Sequence, residues 1–366
     1  TMCGIVGYVG DRDCADVLVD ALSKLEYRGY DSAGIAVVEK GVIKVEKCKG
    51  RLANLVDKMA VDGKPQGHCG IGHTRWATHG EPSDINSHPH GNKRVSIVHN
   101  GIIENYKQIK DFLIEEGYSF VSETDTETVA KLLDYYYVDD PVDTIIKVLS
   151  EIKGSYALGI MFRDYPDTVF AVRKECPLIV GVGENENFLA SDVPAIIKYT
   201  RDYYLLEANE IAVVKKDSVQ IYDMHKEPVH KEINTADWDV DAAEKGGYEH
   251  FMLKEIHEQP AAVRDTVSPR IINGMPDLSQ DGVDMQKLKD YRQIFIVACG
   301  TAMHAGMVGK YVIEKLARKP VIVDIASEFR YRDPIITKDD LMIVISQSGE
   351  TADTMAVLRL AKEVGA

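Results

Sequence analysis

No part of the chain approaches the ~20 consecutive apolar residues that a membrane-spanning helix needs. The first residues also lack the basic stretch and apolar block of a secretory signal. Both absences point to a soluble, cytoplasmic protein. Cysteine is sparse and scattered, at Cys3, Cys14, Cys48, Cys69, Cys176 and Cys299, with no C-x-x-C pair. A disulfide framework and a paired-cysteine zinc site are therefore both unexpected. Positive charge is in deficit: 43 Lys and Arg against 58 Asp and Glu leave a formal net charge of -15. A polyanion would be repelled, so nucleic acid is not an expected partner, although a local basic pocket for a small anion stays compatible with this balance. There is no internal repeat and no low-complexity segment. What the chain does have is 45% apolar residues over 366 positions, enough for about two packed domains.

The hydrophobic pattern divides the chain. Gly4-Ile5-Val6-Gly7-Tyr8-Val9-Gly10 reads as a short strand. A helix follows with Val17, Leu18, Ala21, Leu22 and Leu25 on one face. Residues 34–38 and 42–45 read as a hairpin around Lys40-Gly41. A second helix carries Leu52, Leu55, Val56 and Met59. Strands at residues 70–78 and 95–100 precede helices near 106–116 and 126–137. Residues 155–223 are strand-rich, with turns at 164–167 and 184–187. This is an α+β pattern with antiparallel hairpins. Residues 234–273 are polar and read as a helical junction. After Tyr291 the pattern turns β-α-β: strands at 294–298, 320–325 and 341–345, helices at 303–317 and 352–363. That is the opening of a doubly wound parallel sheet.

Cys3 sits almost at the start. Were Thr1 and Met2 removed, its thiol would lie beside its own α-amine, whose reference pKa is about 7.7–8.0. That amine can take the thiol proton near neutral pH, so one residue would supply both nucleophile and base.

Four further segments occur in order after Cys3-Gly4-Ile5-Val6-Gly7: Tyr27-Arg28-Gly29-Tyr30-Asp31-Ser32-Ala33-Gly34, His73-Thr74-Arg75-Trp76-Ala77-Thr78-His79-Gly80, His99-Asn100-Gly101 and Glu123-Thr124-Asp125-Thr126-Glu127. Singly, each has a commonplace structural role: a surface charge, a core tryptophan, a turn. As an ordered set they resemble the N-terminal-nucleophile glutaminase domain, and more narrowly the glutamine–fructose-6-phosphate aminotransferases, over essentially the whole chain. The resemblance implies an αββα sandwich and a set of roles that suit the residues. Arg75 would clamp the α-carboxylate of glutamine with its guanidinium fork, and Asp125 would pair with the α-ammonium. Thr78 and His79 would line the same pocket. The Asn100 side chain and the Gly101 N–H would form the oxyanion hole. Arg28 and Gly29 would support the nucleophile, and Trp76 would gate the pocket.

In the second half, Ser346-Gln347-Ser348-Gly349-Glu350-Thr351 joins a strand to a helix. Hydroxyl side chains and free N–H groups at such a turn make an anion pocket. The segment resembles the phosphate loop of sugar-isomerase domains, with Thr301 in the preceding sugar-side loop. Ala302 stands where many members of the family carry serine, which removes one hydroxyl contact. The expected organisation is a glutaminase domain at 3–238, a mostly helical junction at 239–290 and an incomplete first sugar-isomerase domain at 291–366. The resemblance further implies that the imine-forming lysine lies outside these residues, that the partners are glutamine and fructose 6-phosphate, and that the full enzyme is a homodimer.

Two histidine groupings, His88 with His90 and His68 with Cys69 and His73, lack the carboxylate or second pair that would complete a ligand set. Neither a metal nor a cofactor is expected. Other enzymes carry the same kind of glutaminase. Amidophosphoribosyltransferase needs a Thr/Gly phosphate loop after an acidic pair, but Asp139-Asp140 runs into Pro141-Val142-Asp143. Asparagine synthetase needs a glycine-rich ATP loop, which residues 346–351 are not. A sugar-phosphate sensor with a decayed glutaminase would have lost some of Cys3, Arg75, Asn100, Gly101 and Asp125, and all are present.

Overall fold

The computed structural model describes residues 3–76, 80–236, 247–347, 349 and 351–366, and of Arg28 the backbone only. The chain forms two compact units, Thr1–Glu244 and Lys245–Ala366.

In the first unit the elements run β1 (Gly4–Val9), α1 (Cys14–Ser23), β2 (Ser32–Glu39), β3 (Val42–Lys49), α2 (Leu52–Asp62), β4 (Cys69–Arg75), β5 (His90–Gly91) and β6 (Val95–Ile103). Three helices follow: α3 (Tyr106–Glu115), α4 (Asp125–Tyr136) and α5 (Pro141–Leu149). The unit closes with β7 (Gly154–Phe162), β8 (Thr168–Lys174), β9 (Ile179–Val182), β10 (Asn187–Ala190), β11 (Asp202–Leu205), β12 (Ile211–Lys215), β13 (Val219–Tyr222) and β14 (Asn234–Thr235).

Among the described residues these strands make two antiparallel sheets, ordered β14-β11-β9-β10-β1-β4-β2-β3 and β13-β12-β8-β7-β6-β5. Alternation along each strand assigns its two faces. On β1, Val6 and Tyr8 meet α1 and α2 in one apolar cluster, with Leu18, Leu22, Leu55 and Met59. Ile5 and Val9 point the other way, to a second cluster shared with Ile71 of β4, Val98 of β6 and Met161 of β7. A third cluster joins the far face of the second sheet to α3, α4 and α5. The layers are therefore helix, sheet, sheet, helix: the αββα sandwich.

Helices α1, α4 and α5 start where side chains satisfy their first N–H groups. Asp13 accepts from Ala15 and Asp16, and Thr124 accepts from Glu127. Asp140 caps α5, with Pro141 in the first turn. Helix α5 is not among the elements expected from the sequence; Asp140 and Pro141 mark its start. Val56 is exposed rather than facing the core with Leu52, Leu55 and Met59. The strand expected to reach Thr78 ends at Arg75.

The second unit begins with α6 (Phe251–Val267) and a small hairpin, β15 (Ile271–Ile272) and β16 (Met275–Pro276). The junction expected over 234–273 is thus helical only in part: Asn234 and Thr235 pair with β11, and Asn273-Gly274 turns the hairpin. Then come β17 (Ile294–Ala298), α7 (Gly300–Leu316), β18 (Val321–Ile325), α8 (Ala326–Phe329), β19 (Leu341–Ile345) and α9 (Ala352–Val364). The strands are parallel, in the order β18-β17-β19. Ile296 and Val321 pack with Ile313 of α7 on one face. Phe295 and Val297 pack with Phe329 of α8 and Val357 of α9 on the other. Helices on both faces explain the near-continuous apolar strands.

Candidate functional site

Strand β1 carries Cys3 at its start, and its register with β4 sets what lies beside it. Gly4 stands opposite Thr74 and Ile5 opposite His73. Cys69 and Ile71 of β4 face the space between the sheets, so period two sends His73 and Arg75 to that same side. On β6, Val98 faces the same space, and Asn100 follows it two residues on. Where the two sheets meet, one pocket is lined by Cys3, His73, Arg75, Trp76, Gly101 and Asp125, among others.

The Cys3 thiol is nearly buried, 9% exposed. Its Sγ accepts the Trp76 N–H at 3.2 Å and faces the Trp76 carbonyl at 3.6 Å. Burial raises the thiol above its ordinary value, and the Trp76 N–H offsets this in part. The resting group is therefore protonated at neutral pH, and a base must remove its proton.

Asn100 donates from Nδ2 to the Cys3 carbonyl at 2.9 Å, and its Oδ1 lies 2.9 Å from His73 Nε2. Gly101 is held at φ 128, which other residues rarely adopt, and a Cβ there would overlap the Ser155 carbonyl oxygen of β7. Arg75 is buried and donates from Nη2 to the Gly80 carbonyl at 3.1 Å. Asp125 opens α4, where the helix dipole favours a carboxylate. Its Oδ2 accepts the Ile103 N–H at 2.8 Å. Trp76 is half exposed and packs edge-on to Tyr30 at 5.3 Å. Gly29 ends the short turn Glu26–Arg28, its N–H on the Glu26 carbonyl, and Asp31 N–H bonds the Arg75 carbonyl. Thr78 and His79 lie outside the described residues, as does the side chain of Arg28.

A group of buried histidines beside the pocket was not singled out for it from the sequence. His73 and His88 stack at 4.1 Å, and His90 meets His88 edge-on at 4.9 Å. His99 Nδ1 lies 2.9 Å from Thr126 Oγ1, and His90 Nε2 lies 3.1 Å from Thr124 Oγ1. Burial pushes His73 down to about 3 and holds His88 and His90 well below the usual value. These three rings are uncharged at neutral pH. His68, grouped with His73 on spacing alone, is exposed and bonds the Arg12 carbonyl. Alternation on β4 was the available signal for His73.

In the second unit, register pairs Ala298 with Ile345, so the carboxyl ends of β17 and β19 are neighbours. Each leads into a helix, α7 and α9, with Thr301 in the first turn of α7 and Thr351 at the cap position of α9. Ser346 Oγ accepts the Gly349 N–H at 3.0 Å and lies 3.2 Å from Thr351 Oγ1. Thr301 and Gln347 are exposed, and Ser348 lies outside the described residues. Helix α7 begins at Gly300, earlier than the expected 303, and places Thr301 in its first turn.

Residues 73–198 match the glutamine amidotransferase domain family, and residues 287–366 match the SIS domain family. The chain is 59% identical over 368 residues to a glutamine–fructose-6-phosphate aminotransferase (isomerizing) of Clostridium acetobutylicum, covering 100% of this chain and 60% of that protein. It is 58% identical over 369 residues to the one of Clostridium tetani, again covering 100% and 60%. The chain thus spans about 60% of the length of these curated relatives. Among solved structures, a glutamine phosphoribosylpyrophosphate amidotransferase from B. subtilis matches with TM-score 0.54 over 94% of this chain and 69% of that one, at 19% identity. That likeness is one of fold. Along its whole length the chain is a homologue of the glutamine–fructose-6-phosphate aminotransferases, with a glutamine amidotransferase domain in its first unit and a SIS domain in its second.

Proposed function

We propose that the first unit hydrolyses glutamine to glutamate and ammonia, with Cys3 as nucleophile. The observation that carries this is one pocket bringing together a thiol, a guanidinium and a carboxylate, Cys3, Arg75 and Asp125, from separate elements. The two charged groups match the carboxylate and ammonium of an α-amino acid. The thiol passes its proton to its own α-amine, and sulfur attacks the side-chain carboxamide. A second N–H of Asn100 and the Gly101 N–H hold the oxyanion. The C–N bond breaks, the leaving nitrogen takes the proton, and water then cleaves the thioester. Trp76 covers the mouth, and Thr78, His79, Arg28 and Gly29 complete and support the pocket.

In the full-length protein the ammonia converts fructose 6-phosphate to glucosamine 6-phosphate, in the cytoplasm and in a homodimer. Thr301 and the 346–351 turn, with Ser346, Gln347, Ser348 and Thr351, hold the sugar phosphate. The test is to prepare the chain with a free α-amine on Cys3, supply glutamine and assay glutamate. Hydrolysis lost in Cys3→Ala supports the reading. No hydrolysis by the unsubstituted chain overturns it.

A further inference from the structure

We propose that His73 is a positioning residue for the oxyanion donor: its Nε2–H pins the Asn100 carboxamide so that the NH2 edge faces Cys3. The inference rests on the glutaminase reading for its kinetic consequence. The pin itself stands on geometry. His73 Nε2 lies 3.1 Å from the His99 carbonyl and 2.9 Å from Asn100 Oδ1. Asn100 Nδ2 lies 2.9 Å from the Cys3 carbonyl.

The two ends of this chain are backbone carbonyls, which can only accept. The His99 carbonyl therefore requires the hydrogen on Nε2. The Cys3 carbonyl requires the NH2 of Asn100 on its side. Turning the carboxamide over would set donor against donor at His73 and acceptor against acceptor at Cys3. All three residues are buried, at 1%, 6% and 9% exposure, so water cannot readily take up the mismatch. The imidazole plane is itself held. It stacks on His88, whose Nδ1 accepts the His99 N–H at 3.3 Å.

Asn100 has two amide hydrogens. One is on the Cys3 carbonyl, and the other is the one an oxyanion on the attacked carbon would take. Without the pin the carboxamide is free to present its oxygen, which repels the oxyanion. His73 touches no reacting atom. It acts through Asn100, so its loss should lower kcat and leave glutamine binding in place.

The experiment compares four forms of the chain, all with a free Cys3 amine: unsubstituted, His73→Gln, His73→Asn and His73→Leu. Asn100→Ala sets the scale, a loss of about 10²–10³ in kcat for one oxyanion donor. Glutamine supplies a donor close to the Nε2 position, asparagine one close to Nδ1, and leucine none. His73→Leu and His73→Asn should lose about 10- to 100-fold in kcat, a part of that scale, with KM changed less than about threefold. His73→Gln should recover most of the rate. Alkylation of Cys3 by iodoacetamide, which develops no oxyanion, should proceed at similar rates in all four, and melting curves report folding. Should His73→Leu fail to fold, the Gln and Asn forms decide. Equal rates in those two, or an unaltered kcat in His73→Leu or His73→Asn, overturn the inference. Nitrogen-15 NMR of the imidazole tests the pin apart from catalysis: an Nδ1–H tautomer at His73 refutes it even if glutamine is hydrolysed. Failure of the unsubstituted chain to hydrolyse glutamine strikes the glutaminase reading and leaves the tautomer result to stand or fall alone.

Discussion

The sharpest test of the pocket's architecture is Gly101→Ala. Gly101 has φ 128, and a methyl group there would overlap the Ser155 carbonyl oxygen, 2.7 Å from the Ser155 carbonyl carbon and 2.9 Å from Tyr156 Cα. All three atoms belong to the backbone of β7, which pairs with β6 along nine residues and cannot step aside alone. The conformation itself costs an alanine about 1–3 kcal/mol. At about 2–4 °C per kcal/mol for a unit of this size, the melting temperature should fall by about 2–12 °C. The overlap must also push β6 away from β7 by up to about 1 Å, and displacement on that scale costs about 10²-fold in rate. The control is Gly117→Ala, after α3. Its φ is 90, but a Cβ there meets nothing within 4 Å. It should lose about 1 kcal/mol of stability and keep its kcat. Differential scanning calorimetry and glutamate release measure the two quantities. A Gly101→Ala protein with native melting and native kcat would refute the assignment of Gly101 to a strained, close-packed oxyanion site.

Other outcomes follow from the same geometry. Arg75→Lys keeps a charge but loses the planar fork, so KM for glutamine should rise about 10- to 100-fold while kcat changes little; steady-state kinetics decide. Blocking the Cys3 α-amine by acetylation, or leaving residues ahead of it, turns the base into an amide, and glutamate release should fall below detection. With the amine free, kcat/KM should decline as pH drops below about 7.7–8.0, where the amine protonates; a flat profile would name another base. In the second unit, Asp340 is buried and accepts from Thr337 N–H and hydroxyl and from Arg292. Burial raises its carboxyl, but these bonds outweigh it and hold the group below the usual range. A depressed carboxylate stabilises the fold above its unfolded pKa, about 3.9, and loses that contribution as pH falls below it. Asp340→Asn should therefore lower melting of that unit at pH 7, with the gap closing in acid.

Periodicity carried most of the architecture because the two sheets are buried on both faces and their strands alternate cleanly. On β1, Val6 and Tyr8 serve the helices while Ile5 and Val9 serve the neighbouring sheet, so the pattern had one solution. Legibility failed at short elements. The cap Asp140 and Pro141 announce α5, and Asn273-Gly274 announces the β15–β16 hairpin. Both signals stand in the sequence. Helix α8 has four residues and no side-chain cap bond, so neither period nor cap could reveal it. Spacing alone offers His73, His88 and His90 as candidate metal ligands, and His99 only as part of the segment with Asn100 and Gly101. Their role depends on which carbonyls and hydroxyls come within 3 Å, which strand register decides and spacing cannot.

The two charges of the pocket illustrate the same dependence. Arg75 and Asp125 are buried, at 4% and 5% exposure, and a desolvated ion is costly unless its hydrogen-bonding capacity is met. Each is anchored to a neutral backbone group, Arg75 to the Gly80 carbonyl and Asp125 to the Ile103 N–H. These bonds fix orientation, and Asp31 and Asp125 add electrostatic attraction at Arg75. A ligand that brings an opposite charge to each group gains in a setting where water competes weakly. A zwitterionic amino acid supplies both signs at once. A simple amide supplies neither and would leave both ions as desolvated as before. On the glutaminase reading, selection of glutamine over other carboxamides is set at the α-carbon end, by two ions whose backbone anchors come from the turn after β4 and the end of β6, while the chemistry occurs at the other end, on Cys3.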